Sequence, residues 1–109
     1  MTSVPKQVYV RNRSILIGCR QLACQHCGRK NGTVVAAHSN WHDLGGKGKA
    51  IKADDRYVAA LCFKCHSDLD QGSKMTKDQR RSMWLAAHTR TIDRLVALNL
   101  WPAGVALPQ

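Results

Sequence analysis

Four cysteines fall into two Cys-x-x-Cys pairs, Cys24-Gln25-His26-Cys27 and Cys62-Phe63-Lys64-Cys65. Histidines stand between the pairs at His38 and directly after the second at His66. Both pairs have the spacing of knuckles that together close a tetrahedral thiolate site around one structural zinc. His26 inside the first knuckle could replace one thiolate, but an outward-pointing ring fits the spacing better. A zinc on Cys24, Cys27, Cys62 and Cys65 would staple two distant stretches of chain and fix the histidines beside it. Asp70 follows His66 by four positions, so a helix there puts an imidazole and a carboxylate on one face. Such a pair can hold a second divalent ion, magnesium, manganese or another transition metal, with positions left open for water and a phosphate oxygen. His38 opposite would then be the general base that takes the proton from water.

Another reading of the second knuckle must be set against this. Cys62-Phe63-Lys64-Cys65-His66 also spells the C-x-x-C-H of covalent haem attachment. Haem attachment goes with export, and the only apolar run near the N-terminus, Ile15-Leu16-Ile17, is too short for a secretory leader. Haem also leaves Cys24, Cys27 and the basic charge unexplained. The fifth cysteine, Cys19, has no x-x-Cys partner and reads as a buried small hydrophobe.

These residues need elements to position them. Residues 1–10 read as an extended arm around Val8-Tyr9-Val10. Asn12, Ile15, Leu16, Cys19 and Leu22 are spaced for a short helix with Asn12 as its cap. It leads into the first knuckle, where Gly28 supplies turn freedom. After the Asn31-Gly32 turn, Thr33–His38 is β-branched and reads as a strand ending at the histidine. Ser39 to Asp55 is polar and glycine-bearing, a loop. Tyr57–Leu61 is a second strand delivering the chain to the second knuckle. A short helix should follow from Cys65 until Gly72 stops it. Thr76-x-x-Gln79 is a capping box opening a long helix over Lys77–Asn99, with Trp84, Thr91, Leu95 and Leu98 on its apolar stripe and Trp101-Pro102 as its stop. His88, near that stripe, reads as a core or boundary histidine. The expected architecture is one α+β domain over 1–109, with a zinc-stapled strand–strand–helix core at 24–72, an N-terminal helix and a basic C-terminal helix at 76–100.

Length and charge bound the function. A chain of 109 residues holds one modest core, and a structural metal is a usual supplement at that size. With 17 basic and 7 acidic residues the net charge is +10, with no glutamate and no acidic residue before Asp43. Such a surface attracts a polyanion, most commonly nucleic acid. Lys47, Lys49 and Lys52 in the loop, with Arg80 and Arg81 on the long helix, are the expected DNA contacts. No apolar stretch is long enough to span a bilayer, and the expected setting is a reducing cytoplasm, where paired cysteines bind metal.

The order of strand, loop, strand, knuckle and helix, with His38, an acid near Asp55 and His66, resembles the HNH, or ββα-metal, nuclease motif. The strings Ala37-His38-Ser39-Asn40-Trp41, Gly46-Lys47-Gly48-Lys49, Ile51-Lys52-Ala53-Asp54-Asp55, Leu61-Cys62, Cys65-His66 and Leu69-Asp70-Gln71-Gly72 are similar to a phage and prophage group. That group contains the YbcO-like nucleases and the RecA-dependent Ref-type nucleases, and the likeness runs over about residues 9–102. It implies a metal-dependent DNA endonuclease serving phage or prophage recombination or DNA processing, and a RecA-type recombinase filament as a partner. His38 corresponds to the general base, His66 to the metal-binding histidine of the helix, and Asp70 to its i+4 partner. The middle asparagine of the motif has no plain counterpart. Asp55 lies nearest in role, although it stands seven residues before Cys62 while Tyr57 holds the usual position. Where many such enzymes place a ligand before the base, this chain has Ala37, leaving His42, Asn40 or Asp54 to complete the shell. A zinc module that binds DNA or a recombination partner without cutting is the other reading.

Overall fold

Two four-residue strands and three helices are what this chain builds among the described residues, which in this computed structural model are 9–46, 48, 51–71 and 74–108. Helix α1 (Arg13–Arg20) is capped by Asn12, whose Oδ1 accepts from the Ile15 N–H at 3.3 Å. Strands β1 (Val35–His38) and β2 (Val58–Leu61) pair antiparallel, with Val35 opposite Leu61 and His38 opposite Val58. Helices α2 (Phe63–Gln71) and α3 (Lys77–Ala97) complete a small, compact α+β domain with a four-cysteine cluster that could hold zinc. Within the expected arm, residues 1–8 lie outside the described residues, as do Lys47, Lys49 and Gly72.

A two-stranded sheet is marginal in water unless something packs on it. Here α3 does so, and its side chains satisfy backbone groups of the strands. Trp84 Nε1 donates to the Ala37 carbonyl at 3.0 Å, the Ala60 N–H donates to Thr91 Oγ1 at 2.9 Å, and His88 Nδ1 donates to the Val58 carbonyl at 2.8 Å. Trp84, Leu95 and Thr91 are fully buried against β2, which is itself buried along its length. Truncating a buried tryptophan costs about 3–5 kcal/mol, a large share of the ~5–15 kcal/mol that holds a domain together. Helix α1 adds Ile15 and Cys19 to the same core. Burial pushes the Cys19 thiol up to about 12, which keeps it protonated and inert.

Several boundaries differ from the sequence reading: α1 closes at Arg20, before Leu22, β1 opens at Val35 and β2 at Val58, and α2 and α3 differ for local reasons. Helix α2 starts at Phe63, not at Cys65, because the second knuckle is itself its first turn: the His66 N–H donates to the Cys62 carbonyl at 2.9 Å. Helix α3 opens as the capping box predicts, with Thr76 and Gln79 bonding reciprocally. It ends two residues before the expected Asn99. Asn99 takes a left-handed conformation (φ 61°), the Leu100 N–H returns to the Leu95 carbonyl at 2.8 Å, and the Asn99 N–H reaches the Val96 carbonyl at 3.1 Å. This closes the helix before Trp101-Pro102 is reached. The buried stripe is accordingly Trp84, Ala87, His88, Thr91 and Leu95, while Leu98, expected on it, is 45% exposed. No helix among the described residues is long and apolar enough to cross a membrane.

Candidate zinc site and active-site cleft

The two knuckles meet. The Sγ atoms of Cys24, Cys27, Cys62 and Cys65 all lie within 4.8 Å of one another, and Cys27 and Cys62 are 3.7 Å apart. Four sulfurs at the usual zinc distance stand about 3.8 Å from each other, so the donor set fits one tetrahedral ion. The first knuckle is shaped for it: the Gly28 N–H donates to the Cys24 carbonyl at 2.9 Å, and the Cys27 N–H points at Cys24 Sγ at 3.5 Å. Gly28 has φ +81°, a backbone state that side chains resist. Burial raises the Cys24 thiol, but backbone N–H groups of Cys27, Cys62 and His26 outweigh it and bring the thiol down to about 6. Burial and the neighbouring thiols push Cys65 up instead. A crowded set in which one thiolate forms readily and the next resists ionising is one that a dication would complete. The knot is also tied to the sheet, because the Gln25 N–H donates to the Ala60 carbonyl at 2.8 Å.

At the opposite end of the hairpin His38 closes β1. Its Nε2 lies 2.8 Å from Asp55 Oδ1. Facing a carboxylate oxygen, Nε2 donates, which leaves Nδ1 as the nitrogen with a lone pair. Asp55 is itself held: its Oδ2 accepts from the Asn12 N–H at 2.7 Å and its own N–H donates to the Val10 carbonyl at 2.8 Å. Arg11 lies 3.6 Å from Asp55 Oδ1 and donates to the Ala53 and Lys52 carbonyls at 2.6 and 2.9 Å. Residues 10–12 therefore strap down the loop that carries Asp55.

Helix α2 supplies the other wall. His66 Nε2 and Asp70 Oδ2 are 3.2 Å apart, the i,i+4 pairing that the helix reading predicts. Two donors at that separation suit one ion bonded to both at about 2.0–2.2 Å. Asn40 Nδ2 donates to Asp70 Oδ1 at 3.2 Å, fixing the carboxylate from across the cleft. His38, Ser39, Asn40, Lys52, His66 and Asp70 line one open cleft of about 350 Å³. Compared with protein-family models, curated proteins and solved structures, this chain matches none.

The remaining candidates divide. Asp54 is engaged elsewhere: Arg56 and the Val10 N–H occupy both of its oxygens. Burial raises its pKa, yet these partners hold the carboxyl below its usual range, so Asp54 clamps the arm to the loop and is no ion ligand. His42 sits exposed in the turn after β1 and is not among the cleft residues. Asn40 meets the site through Asp70. Among the DNA contacts expected from sequence, Lys52 lines the cleft, and Arg80 joins Lys77 along an adjoining recess with Asn40 and Asp70. Arg81 differs: its guanidinium forks onto Asp43 at 3.0 and 2.6 Å and lies over the Trp41 ring. Trp41 packs on Trp84, ring centroids 5.7 Å apart. Sequence reasoning missed the strap at residues 10–12. Asn12 carried a helix-cap signal, and nothing in its type reveals that its backbone N–H also holds Asp55.

Proposed function

We propose that this chain is a metal-dependent DNA endonuclease of the HNH type, of the kind serving phage or prophage recombination or DNA processing. One observation carries the reading: an Asp55-backed imidazole, His38, shares a cleft with the His66–Asp70 pair. In this reading Asp55 keeps the proton on Nε2 of His38, so that Nδ1 takes the proton from an attacking water. His66 and Asp70 would hold a divalent ion, which would supply charge neutralisation for the phosphodiester and the departing oxygen. Asn40 keeps Asp70 in the rotamer that faces His66. Lys52 and the overall charge of +10 draw the nucleic-acid backbone to the cleft. A zinc on the four cysteines would play no chemical part; it would fix where α2 begins.

A second reading has one observation in its favour. Among the described residues the four cysteines are the only group of three or more ligating side chains, so the proposed catalytic ion has two protein ligands. A zinc module that binds DNA or a recombination partner without cutting would need no more. Nicking of supercoiled plasmid separates the two. Wild type should nick with magnesium, manganese or nickel, alone or with RecA-type filaments, and His38→Ala and His66→Ala should not. Wild type that never cuts under any of these conditions decides for the binding module.

A further inference from the structure

Phe63 is the chain's one phenylalanine, and at 71% exposed it is the barest large apolar side chain among the described residues. It sits on a stiff mount. Its N–H donates to Thr33 Oγ1 at 3.0 Å, and zinc-site thiols flank it at Cys62 and Cys65. It lines a recess of about 210 Å³ with His66, Ser67, Asp70 and Gln71, which shares His66 and Asp70 with the cleft. Within that cleft a second apolar side chain, Ile51, is also 45% exposed. The proposed phosphodiester site is thus bordered by a bare ring and a bare aliphatic group, on a protein whose charge selects a polyanion.

A phenyl ring offers no hydrogen-bonding group with which to read a base edge or grip a phosphate. Its match in a nucleic acid is the flat face of a base, and in a duplex those faces are covered by stacking. We infer that Phe63 is a stacking platform for an unpaired base beside the scissile phosphate, and that the strand entering the cleft is single or locally opened. The inference rests on reading the cleft as a phosphodiester site and adds the form of the substrate. Lys52 would follow the backbone and Phe63 the base, the combination by which single strands are held without sequence preference.

The test is binding by the zinc-loaded full chain, with no magnesium or manganese added. The probe is a short single strand carrying 2-aminopurine, compared with the same sequence as a duplex. Wild type should prefer the single strand and quench the probe. Phe63→Leu should abolish quenching and weaken single-strand binding about five- to hundredfold, with duplex binding and the salt dependence unchanged. Phe63→Trp should restore both. Zinc content equal to wild type checks that each variant keeps its knot. Unchanged single-strand affinity in Phe63→Leu, as a protein-docking Phe63 would give, or a wild-type preference for duplex, overturns the inference. Plasmid nicking reads hydrolysis separately, so cutting without quenching sinks the stacking role alone, and quenching without cutting sinks the nuclease alone.

Discussion

His38 Nε2 lies 2.8 Å from Asp55 Oδ1, where the end of β1 meets the loop before β2. If that contact sets the tautomer, Asp55→Asn should lower nicking by about 10²-fold or more, because general-base assistance contributes roughly 10²–10⁴-fold. His38→Ala should lose at least as much. The double variant should be little worse than His38→Ala, since the two residues act as a unit. Multiplying losses in the double variant would show that Asp55 works independently of His38.

Asn40 touches Asp70 at 3.2 Å and holds the oxygen that does not face His66. Removing such a supporting contact weakens metal affinity by about 10–100-fold in comparable sites. Asn40→Ala should therefore raise the divalent-ion concentration needed for half-maximal nicking by about tenfold, with less effect on the rate at saturating ion. An unchanged metal titration would remove Asn40 from the site.

Gly45 lies under Tyr57, with φ +94°, and a Cβ there would fall 2.7 Å from the Tyr57 Cβ. Its carbonyl also accepts from the Asp54 N–H at 2.9 Å. Gly45→Ala combines backbone strain with a collision, and should cost about 1–3 kcal/mol in thermal or urea unfolding. Because the displaced loop carries Asp55, nicking should fall even where the protein remains folded.

His88 is buried between the rings of Trp84 and Tyr57, at centroid distances of 4.8 and 5.8 Å. Burial lowers its pKa below the usual 6.5, against the opposing pull of the Val58 carbonyl. The folded state thus disfavours the charged ring. Stability from this group is complete above about pH 6.5, where both states are neutral, and is lost as pH falls below that value. His88→Phe should flatten the decline of melting temperature between about pH 6.5 and 5, relative to wild type at matched zinc. An equally steep decline would place the acid sensitivity elsewhere.

Chelation should act on the fold before it acts on chemistry. Stripping zinc, or Cys24→Ser, removes a contribution of about 10–16 kcal/mol in comparable small sites, as large as the whole ~5–15 kcal/mol that holds a domain together. Circular dichroism should show lost structure, and added zinc should restore it for wild type but not for Cys24→Ser.

Local patterns in the chain already announced much of this architecture. Asn12, the Thr76–Gln79 box and the β-branched run up to His38 act through near neighbours, so their elements are where the spacing puts them. The meeting of the two cysteine pairs was legible for the same reason, since the knuckle spacing itself carries the geometry. What escaped depends on distant backbone. The clamp of Val10, Arg11 and Asn12 on Asp54 and Asp55 is made largely through main-chain groups, which no residue type announces. The Arg81–Asp43 ion pair escaped because charge alone cannot reveal that Asp43 lies within reach. Leu98 kept the helical period but lost the helix, because Asn99 could adopt the left-handed turn two residues before the expected stop.

Because α2 begins inside the second knuckle, there is no spacer between the sulfur cluster and the histidine wall of the cleft. One residue inserted between Cys65 and His66 would rotate everything beyond it by about 100° around the helix axis, carrying His66 and Asp70 off the wall that faces His38. The junction at Cys65 therefore tolerates no change of length that keeps both histidines on one cleft.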